Sequence, residues 1–144
     1  MTSADAPGRV LAFDFGHRRI GVAVSDEGRR LATPLATIEE RDPARALTEA
    51  EALIARESPA LLVVGLPLNM DGTEGPTAKA ARDFALALER RTGISHELWD
   101  ERLSSQEADL LMSGSGLSRK KKKSRRDRLA AQRILTGWLD AHSA

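Results

Sequence analysis

Hydrophobic positions fall in short blocks along the first quarter of the chain, and polar turns separate these blocks. They cover residues 10–15, 20–25 and 31–38, and the second is rich in β-branched side chains. Blocks of this length, with a turn at Asp26-Glu27-Gly28, are typical of strands. Because the connections are too short for a crossover helix, the three strands are predicted to form an antiparallel meander.

The apolar spacing changes to a helical period at residue 42. Asp42-Pro43 is typical of a helix start, with Asp as the N-cap and Pro at the first helical position. Apolar residues then recur at helical spacing as far as Ser58-Pro59, where the helix is predicted to end. The continuous apolar run at residues 61–64 is typical of a strand that is covered on both faces.

Three more helices and one more strand are predicted in the second half. Thr77 is expected to cap a helix that ends at Gly93. Residues 96–99 form a short strand pattern, and a capping-box match at residues 104–107 opens a third helix. The apolar spacing of residues 127–140 predicts the last helix.

The element order βββ-α-β-α-β-α-α predicts an α/β fold. Three antiparallel strands followed by two parallel strands make a five-stranded mixed sheet that is flanked by helices. A length of 144 residues indicates one domain, with an ordered core at about 9–141 and an N-terminal tail at 1–8. The stretch 113–124 is Gly/Ser-rich and then Lys/Arg-rich, and it is predicted to be a mobile basic loop.

The positive charge of the chain is local. The whole sequence has 22 basic and 21 acidic residues, but residues 119–128 hold eight of the basic residues and one acid. The remainder is therefore acidic, and the basic segment is the expected contact for a polyanion. There is no cysteine, no signal-peptide pattern and no bilayer-length apolar run, so we expect a soluble cytoplasmic protein. The oligomeric state, monomer or homodimer, stays open.

Three acidic residues stand at the edges of predicted elements: Asp14, Glu101 and Asp127. Carboxylates brought together from separate strands and a helix can hold Mg²⁺, because hard cations prefer oxygen ligands. Each residue also has an ordinary interpretation. Asp14 could be a turn residue, Glu101 a solvated strand end and Asp127 a helix-start acid. Since strand side chains alternate, either Asp100 or Glu101 could face Asp14.

Other polar residues give weaker signals. The loop after the fourth strand carries Asn69, Asp71 and Thr73, which are expected near the carboxyl ends of the strands, where ligands of such sheets gather. The histidines are not spaced as a metal cluster. With only five aromatic residues, contacts to nucleic acid should be made mainly to phosphates, without a base-stacking platform.

Four motifs together resemble the YqgF family of Holliday-junction-resolvase-like proteins. They are FDFGHRRIGVA at residues 13–23, VGLPLNMDGT at 64–73, DERLS at 100–104 and DRLAA at 127–131. The resemblance covers nearly the whole chain and implies an RNase H-like fold. It also implies catalytic and metal-binding roles for Asp14, Glu101 and Asp127.

The resemblance further implies a nuclease that matures the 5′ end of pre-16S rRNA or, as was proposed earlier, acts on recombination junctions. The expected chemistry is phosphodiester hydrolysis with one or two Mg²⁺ or Mn²⁺ ions, with Asp14 as the shared ligand. The expected nucleic-acid contacts are all basic and lie within, or just before, the first and the last of these motifs. They are Arg18, Arg19, Arg119, Lys120, Lys121, Lys122, Lys123, Arg125, Arg126 and Arg128.

Two other functions stay open at this point. Asp14-Phe15-Gly16 also resembles the phosphate loop of actin-like ATPases, although these close a second lobe over the nucleotide. A noncatalytic RNA-binding factor for ribosome assembly would need only the basic segment. The choice between RNA and DNA is also open, because recognition by shape is expected for either.

Overall fold

The computed structural model describes residues 8–103 and 119–143, which form one sheet with helices on both faces. The elements in chain order are β1 Val10–Asp14, β2 Arg19–Ser25, β3 Ala32–Glu39, α1 Pro43–Glu57, β4 Leu61–Leu66, α2 Pro76–Thr92, β5 His96–Asp100, a 3-10 turn Glu101–Leu103 and α3 Arg119–Ala141. Within these ranges, no helix has the length and hydrophobicity that crossing a membrane requires.

The strand order is β3-β2-β1-β4-β5. The β1–β2 and β2–β3 pairs are antiparallel, and the β1–β4 and β4–β5 pairs are parallel. This confirms the predicted mixed sheet. The central strand is β1, so its last residue, Asp14, lies in the middle of the edge where β4 and β5 also end.

Strand alternation divides the core into two layers. Leu11 and Phe13 of β1 face α1 and α2, whereas Val10 and Ala12 face α3. Asp14 continues the second set and therefore points towards the α3 side. The carboxylate face of the sheet is thus the face that α3 covers.

Glycines let α3 approach the sheet closely. A Cβ atom at Gly21 in β2 would collide with the main-chain carbonyl oxygen of Asp127. A Cβ at Gly137 in α3 would lie 3.0 Å from the ring of Trp99. Backbone therefore packs on backbone where α3 crosses β2, and this contact fixes the height of Asp127 above the sheet.

The helix ends agree with the sequence predictions in three cases out of four. Asp42 Oδ1 accepts a hydrogen bond from the Ala44 amide at 3.1 Å. Ser58 and Gly93 end their helices in the left-handed conformation, with φ of 50° and 75°. The predicted Thr77 cap is wrong: α2 begins at Pro76, whose fixed φ suits the first helical position.

The last helix starts eight residues earlier than the apolar pattern predicts. It begins at Arg119, so residues 119–124 are helical and do not belong to a loop. Lys and Arg are good helix formers, and their intrinsic preference outweighs the like-charge repulsion within the run. Residues 113–118, the tail at 1–7 and the helix predicted from Ser104 lie outside the described residues.

The contact at Gly21 gives the first prediction. Gly21→Ala should destabilise the protein by about 1–3 kcal/mol, because the added methyl group has to displace the α3 backbone. Urea unfolding followed by circular dichroism measures the change. Gly75→Ala is the comparison variant, because its added Cβ meets no atom outside its chain neighbours closer than 3.8 Å. It loses only the preference for glycine over alanine at the N-cap of α2 and should therefore cost less than Gly21→Ala. Equal unfolding midpoints for the two variants would contradict this packing.

Candidate active site

Asp14 and Gly21 are directly paired across β1 and β2. Opposed residues of an antiparallel pair project on the same face, so the missing side chain of Gly21 leaves space beside the Asp14 carboxylate. Phe13, one residue earlier, is fully buried on the other face. Asp14 is therefore held at the end of a rigid central strand.

Glu101 reaches Asp14 by crossing β4, which lies between β1 and β5. A Cβ at Gly65 of β4 would stand 3.0 Å from Glu101 Cγ and 2.5 Å from Ile134 Cδ1. The glycine thus makes the passage for the Glu101 side chain beneath α3. The two carboxyl groups of Asp14 and Glu101 are joined by a hydrogen bond.

Asp100 is turned away from this pair. Its Oδ2 accepts a hydrogen bond from Arg102 Nη2 at 2.7 Å, and this contact holds the pKa of Asp100 below its usual value. Arg102 also donates to the main-chain oxygen of Met70 at 3.3 Å. The chain therefore directs Asp100, the last residue of β5, towards Arg102. It directs Glu101, the first residue of the 3-10 turn, towards Asp14.

Asp127 lies in the third turn of α3, above Gly21. The interpretation of Asp127 as a helix-start acid is wrong, because the helix begins at Arg119. Its Oδ2 is 4.0 Å from Arg19 Nε, and its charge acts on Asp14. Asp127 therefore belongs to the same site, reached from the helix side.

Arg133 is a site residue that the sequence analysis missed. Its positive charge lowers the pKa of both Asp14 and Glu101. In the sequence Arg133 directly precedes Ile134, which packs at Gly65. This adjacency to a core residue of the site is the sequence signal that could have located Arg133. The apolar pattern puts Arg133 at a polar position of the helix and therefore predicts no role for it. Its long side chain nevertheless brings its charge to the site from that position.

The electrostatics of the site are dominated by clustered negative charge. Burial raises the pKa of Asp14 to about 8, assisted by the charge of Glu101, the hydrogen bond between them and the charge of Asp127. Burial also raises the pKa of Glu101, while the hydrogen bond from Asp14 and the charge of Arg133 oppose the shift. The two carboxyl groups therefore titrate as a pair, and the pair binds its shared proton more tightly than a free carboxyl group does.

The donor chemistry of the site suits a hard divalent cation. Across residues 8–103 and 119–143, no three Asp, Glu or His side chains stand at the spacing of a formed metal site. Two carboxylates nevertheless meet at a partly buried position and keep a proton between them, which is where a cation would relieve their repulsion. Asp14 and Glu101 fit such an ion, with Asp127 next to them.

The other predicted polar residues do not join the carboxylates. Asn69 Nδ2 donates to Thr73 Oγ1 at 2.9 Å, and Thr73 Oγ1 donates to Asp71 Oδ1 at 2.6 Å. These bonds brace the β4–α2 loop. The histidines lie in three separate places: His17 against Phe15, His96 on Glu89, and His142 stacked on Trp138.

The predicted basic contacts fall into two groups at this end of the molecule. Arg18 is exposed, and Arg19 Nε lies 3.5 Å from Glu39 Oε1 as well as near Asp127. The remaining predicted residues, 119–128, form the first turns of α3. The basic segment and the Asp127 carboxylate thus belong to one helix.

A five-stranded mixed sheet in this strand order, with Asp14 at the end of its central strand, defines an RNase H-like fold. Thermus thermophilus RuvC in complex with Holliday junction substrate has this fold, with a TM-score of 0.60 at 16% identity over 93% of each chain. The Fowlpox virus resolvase also has a TM-score of 0.60, at 9% identity over 94% of this chain and 99% of that one.

The sequence comparison assigns the family. The family model of RuvX, described as a Holliday junction resolvase, matches residues 8–141, and the chain belongs to this family. A relative from Anaeromyxobacter sp. (strain K) is 49% identical over 92% of this chain and 96% of its own. One from Myxococcus xanthus (strain DK1622) is 45% identical over 93% and 89%. Both carry the name "Putative pre-16S rRNA nuclease".

The shared proton gives a pH prediction for the metal-free protein. Because Asp14 binds a proton more tightly when folded than when unfolded, the free energy of unfolding should fall as pH rises from about 4 to about 8. One proton limits the slope to about 1.4 kcal/mol per pH unit. Urea unfolding in EDTA across this range measures it.

Two variants separate this effect from other titrations. Asp14→Asn cannot bind the proton, so its stability should depend less on pH than that of the wild type. Asp100→Asn should keep the wild-type slope above pH 5, because Asp100 has a lowered pKa. Parallel curves for the wild type and Asp14→Asn would show that this pair does not hold the proton.

Proposed function

We propose that this protein is a metal-dependent nuclease that hydrolyses phosphodiester bonds of structured nucleic acid, and that its substrate is the 5′ end of pre-16S rRNA in the cytoplasm. The observation that carries the proposal is the contact between Asp14 and Glu101 across Gly65, with Asp127 held above it by α3. Three acidic side chains from separate elements converge where an uncompensated charge is costly.

Asp14 and Glu101 would hold Mg²⁺ or Mn²⁺, and Asp127 would complete the site. One or two such ions supply charge neutralisation and an activated water at the scissile phosphate. The protein itself contributes the rigid position of Asp14 at the end of β1. Arg133 limits the repulsion between the carboxylates, and Arg19 orients Asp127 at 4.0 Å.

The position of the basic segment supports a nucleic-acid substrate. The residues 119–128 precede and surround Asp127 on α3, so a backbone that follows this helix leads to the carboxylates. Contacts of this kind bind phosphates without reading sequence. Recognition would therefore depend on the shape of the folded nucleic acid.

The names of the relatives favour precursor rRNA as the substrate, and the family description favours a DNA junction. We propose rRNA because two relatives at 45–49% identity carry that name. Side-by-side incubation of a precursor-rRNA fragment and a four-way DNA junction with Mg²⁺ or Mn²⁺ compares the two. A noncatalytic assembly factor would cut neither.

The carboxylates give the central prediction. Asp14→Asn and Glu101→Gln should each lower the rate of cleavage by about 100-fold or more, because the neutral amides bind a cation poorly. Asp127→Asn should also cut poorly while binding the substrate as well or better, since it loses a negative charge among arginines. Gel-based cleavage and filter binding measure the two properties.

Asp100→Asn is the matched control for these variants. Its carboxylate is held by Arg102 outside the site, so cleavage should stay within about twofold of the wild type. Wild-type cleavage by Asp14→Asn would remove Asp14 from the mechanism. Loss of cleavage in Asp100→Asn with normal cleavage in Glu101→Gln would exchange the two roles.

The basic segment gives a separate prediction. Replacing Lys120, Lys121, Lys122 and Lys123 with Ala should weaken binding and reduce the salt slope by about 0.7–0.9 for each lost phosphate contact. The control replaces Arg56, Arg90 and Arg91, which lie at the carboxyl ends of α1 and α2, at the opposite end of the sheet. Unchanged affinity in the lysine variant would indicate a merely solvated charge run.

A further inference from the structure

A cavity of about 500 Å³ lies on the opposite face of the sheet from the carboxylates, at the same end. It is enclosed by the loop after β1, the start of α1 and the first half of α2. Its walls are mostly apolar and include Phe15, Leu47 and Phe84. Phe15 directly follows Asp14, so the mouth of the cavity is one residue away from the proposed catalytic carboxylate along the chain.

A second, polar groove of about 350 Å³ lies beside this cavity, on the side of Arg19. It is lined by Arg18, Arg19, Glu39, Glu40 and Arg41. Glu40 and Arg41 also line the apolar cavity, and Arg19 lies 4.0 Å from Asp127 Oδ2. The groove therefore shares two residues with the cavity on one side and reaches Arg19, the neighbour of Asp127, on the other.

Two arginines in this groove are available to a ligand. Arg18 and Arg41 are both exposed, and neither forms an ion pair with another residue of the described ranges. The first turn of α1, at Pro43, also borders the cavity, and a helix N-terminus favours negative charge. The groove thus suits a phosphate group.

The cavity itself suits a single planar base. Phe15 makes ring contacts with both Phe84 and His17, with centroids 5.3 and 5.6 Å apart. The volume is within the range of small-molecule sites, and apolar walls with a few polar groups at the rim are typical of them. Asp83 and Glu40 at the rim provide acceptors for the amino groups of a base. Five Phe and Trp residues cannot line a track for a continuous strand, but the two of them that line the cavity, Phe15 and Phe84, can contact one base together with His17.

We propose that the cavity and groove form a subsite for one unpaired nucleotide of the substrate, with its phosphate at Arg18 and Arg41 and its base between α1 and α2. The inference rests on the proposed nuclease function and adds the substrate class: structured nucleic acid that carries a displaced or bulged nucleotide. Bases with amino groups, guanine foremost, match the acceptors at the rim. The subsite places that nucleotide on one face of the sheet at the end of β1, and the proposed cleavage position lies on the other face.

The direct test is a titration of ¹⁵N-labelled protein in EDTA with guanosine 5′-monophosphate, uridine 5′-monophosphate and inorganic phosphate. The guanosine nucleotide should shift the amide signals of Gly16, Ala80 and Ala87, and it should shift them more than the uridine nucleotide does. Ala80→Leu fills the cavity and should abolish these shifts. Ala52→Leu, an exposed position of α1 outside the cavity, should keep them.

A binding experiment then tests the role in the substrate. In the Asp14→Asn background, a duplex with one bulged guanosine should bind about tenfold more tightly than the fully paired duplex, as expected for one base–aromatic contact. Ala80→Leu should remove this preference, and Ala52→Leu should retain it. Arg41→Ala should reduce the salt slope by about 0.7–0.9, whereas Arg90→Ala should not.

The outcomes separate the two proposals. Cleavage without any nucleotide-dependent shift at the cavity would overturn the subsite and leave the nuclease intact. Shifts caused equally by inorganic phosphate, or by raising the protein concentration alone, would also overturn it, in favour of a phosphate site or self-association. Shifts and a bulge preference in a protein that cuts no substrate would support the subsite and refute the nuclease.

Discussion

The site depends on the absence of side chains at two positions of the sheet. Gly21 lets the α3 backbone lie against β2, and Gly65 lets Glu101 cross β4 beneath the same helix. A methyl group at either position would separate groups that have to meet, because packed backbones cannot yield as flexible side chains do. Close packing therefore brings Asp14 of β1, Glu101 of the 3-10 turn after β5 and Asp127 of α3 to one end of the sheet.

That convergence has an electrostatic cost. Burial raises the pKa values of both Asp14 and Glu101, the charges of Glu101 and Asp127 raise that of Asp14 further, and Arg133 offsets only part of this. A protein without a use for the cluster would be more stable with one of these residues neutral. Stored destabilisation of this kind is typical of functional sites, where a ligand of opposite charge recovers it.

The end of β1 has different chemistry on its two faces. Asp14 points to the α3 side, where charge is gathered, and Phe15 borders an apolar cavity on the side of α1 and α2. The alternation of a single strand produces both environments within two residues. Arg19 and the groove beside it lie between the two environments.

The sequence by itself determined the order and type of the described strands and helices, the mixed sheet, and the acidic motifs that carry Asp14, Asp127 and the Asp100-Glu101 pair, because these follow from local periodicity and from motifs. It could not place the start of α3, since the polar run 119–126 carries no apolar signal, nor could it choose between Asp100 and Glu101. Only the tertiary structure decided these points. The choice between Asp100 and Glu101 depended on which side chain could pass Gly65. The structure also brought the charge of Arg133 to the site from a position that is polar in the helical pattern.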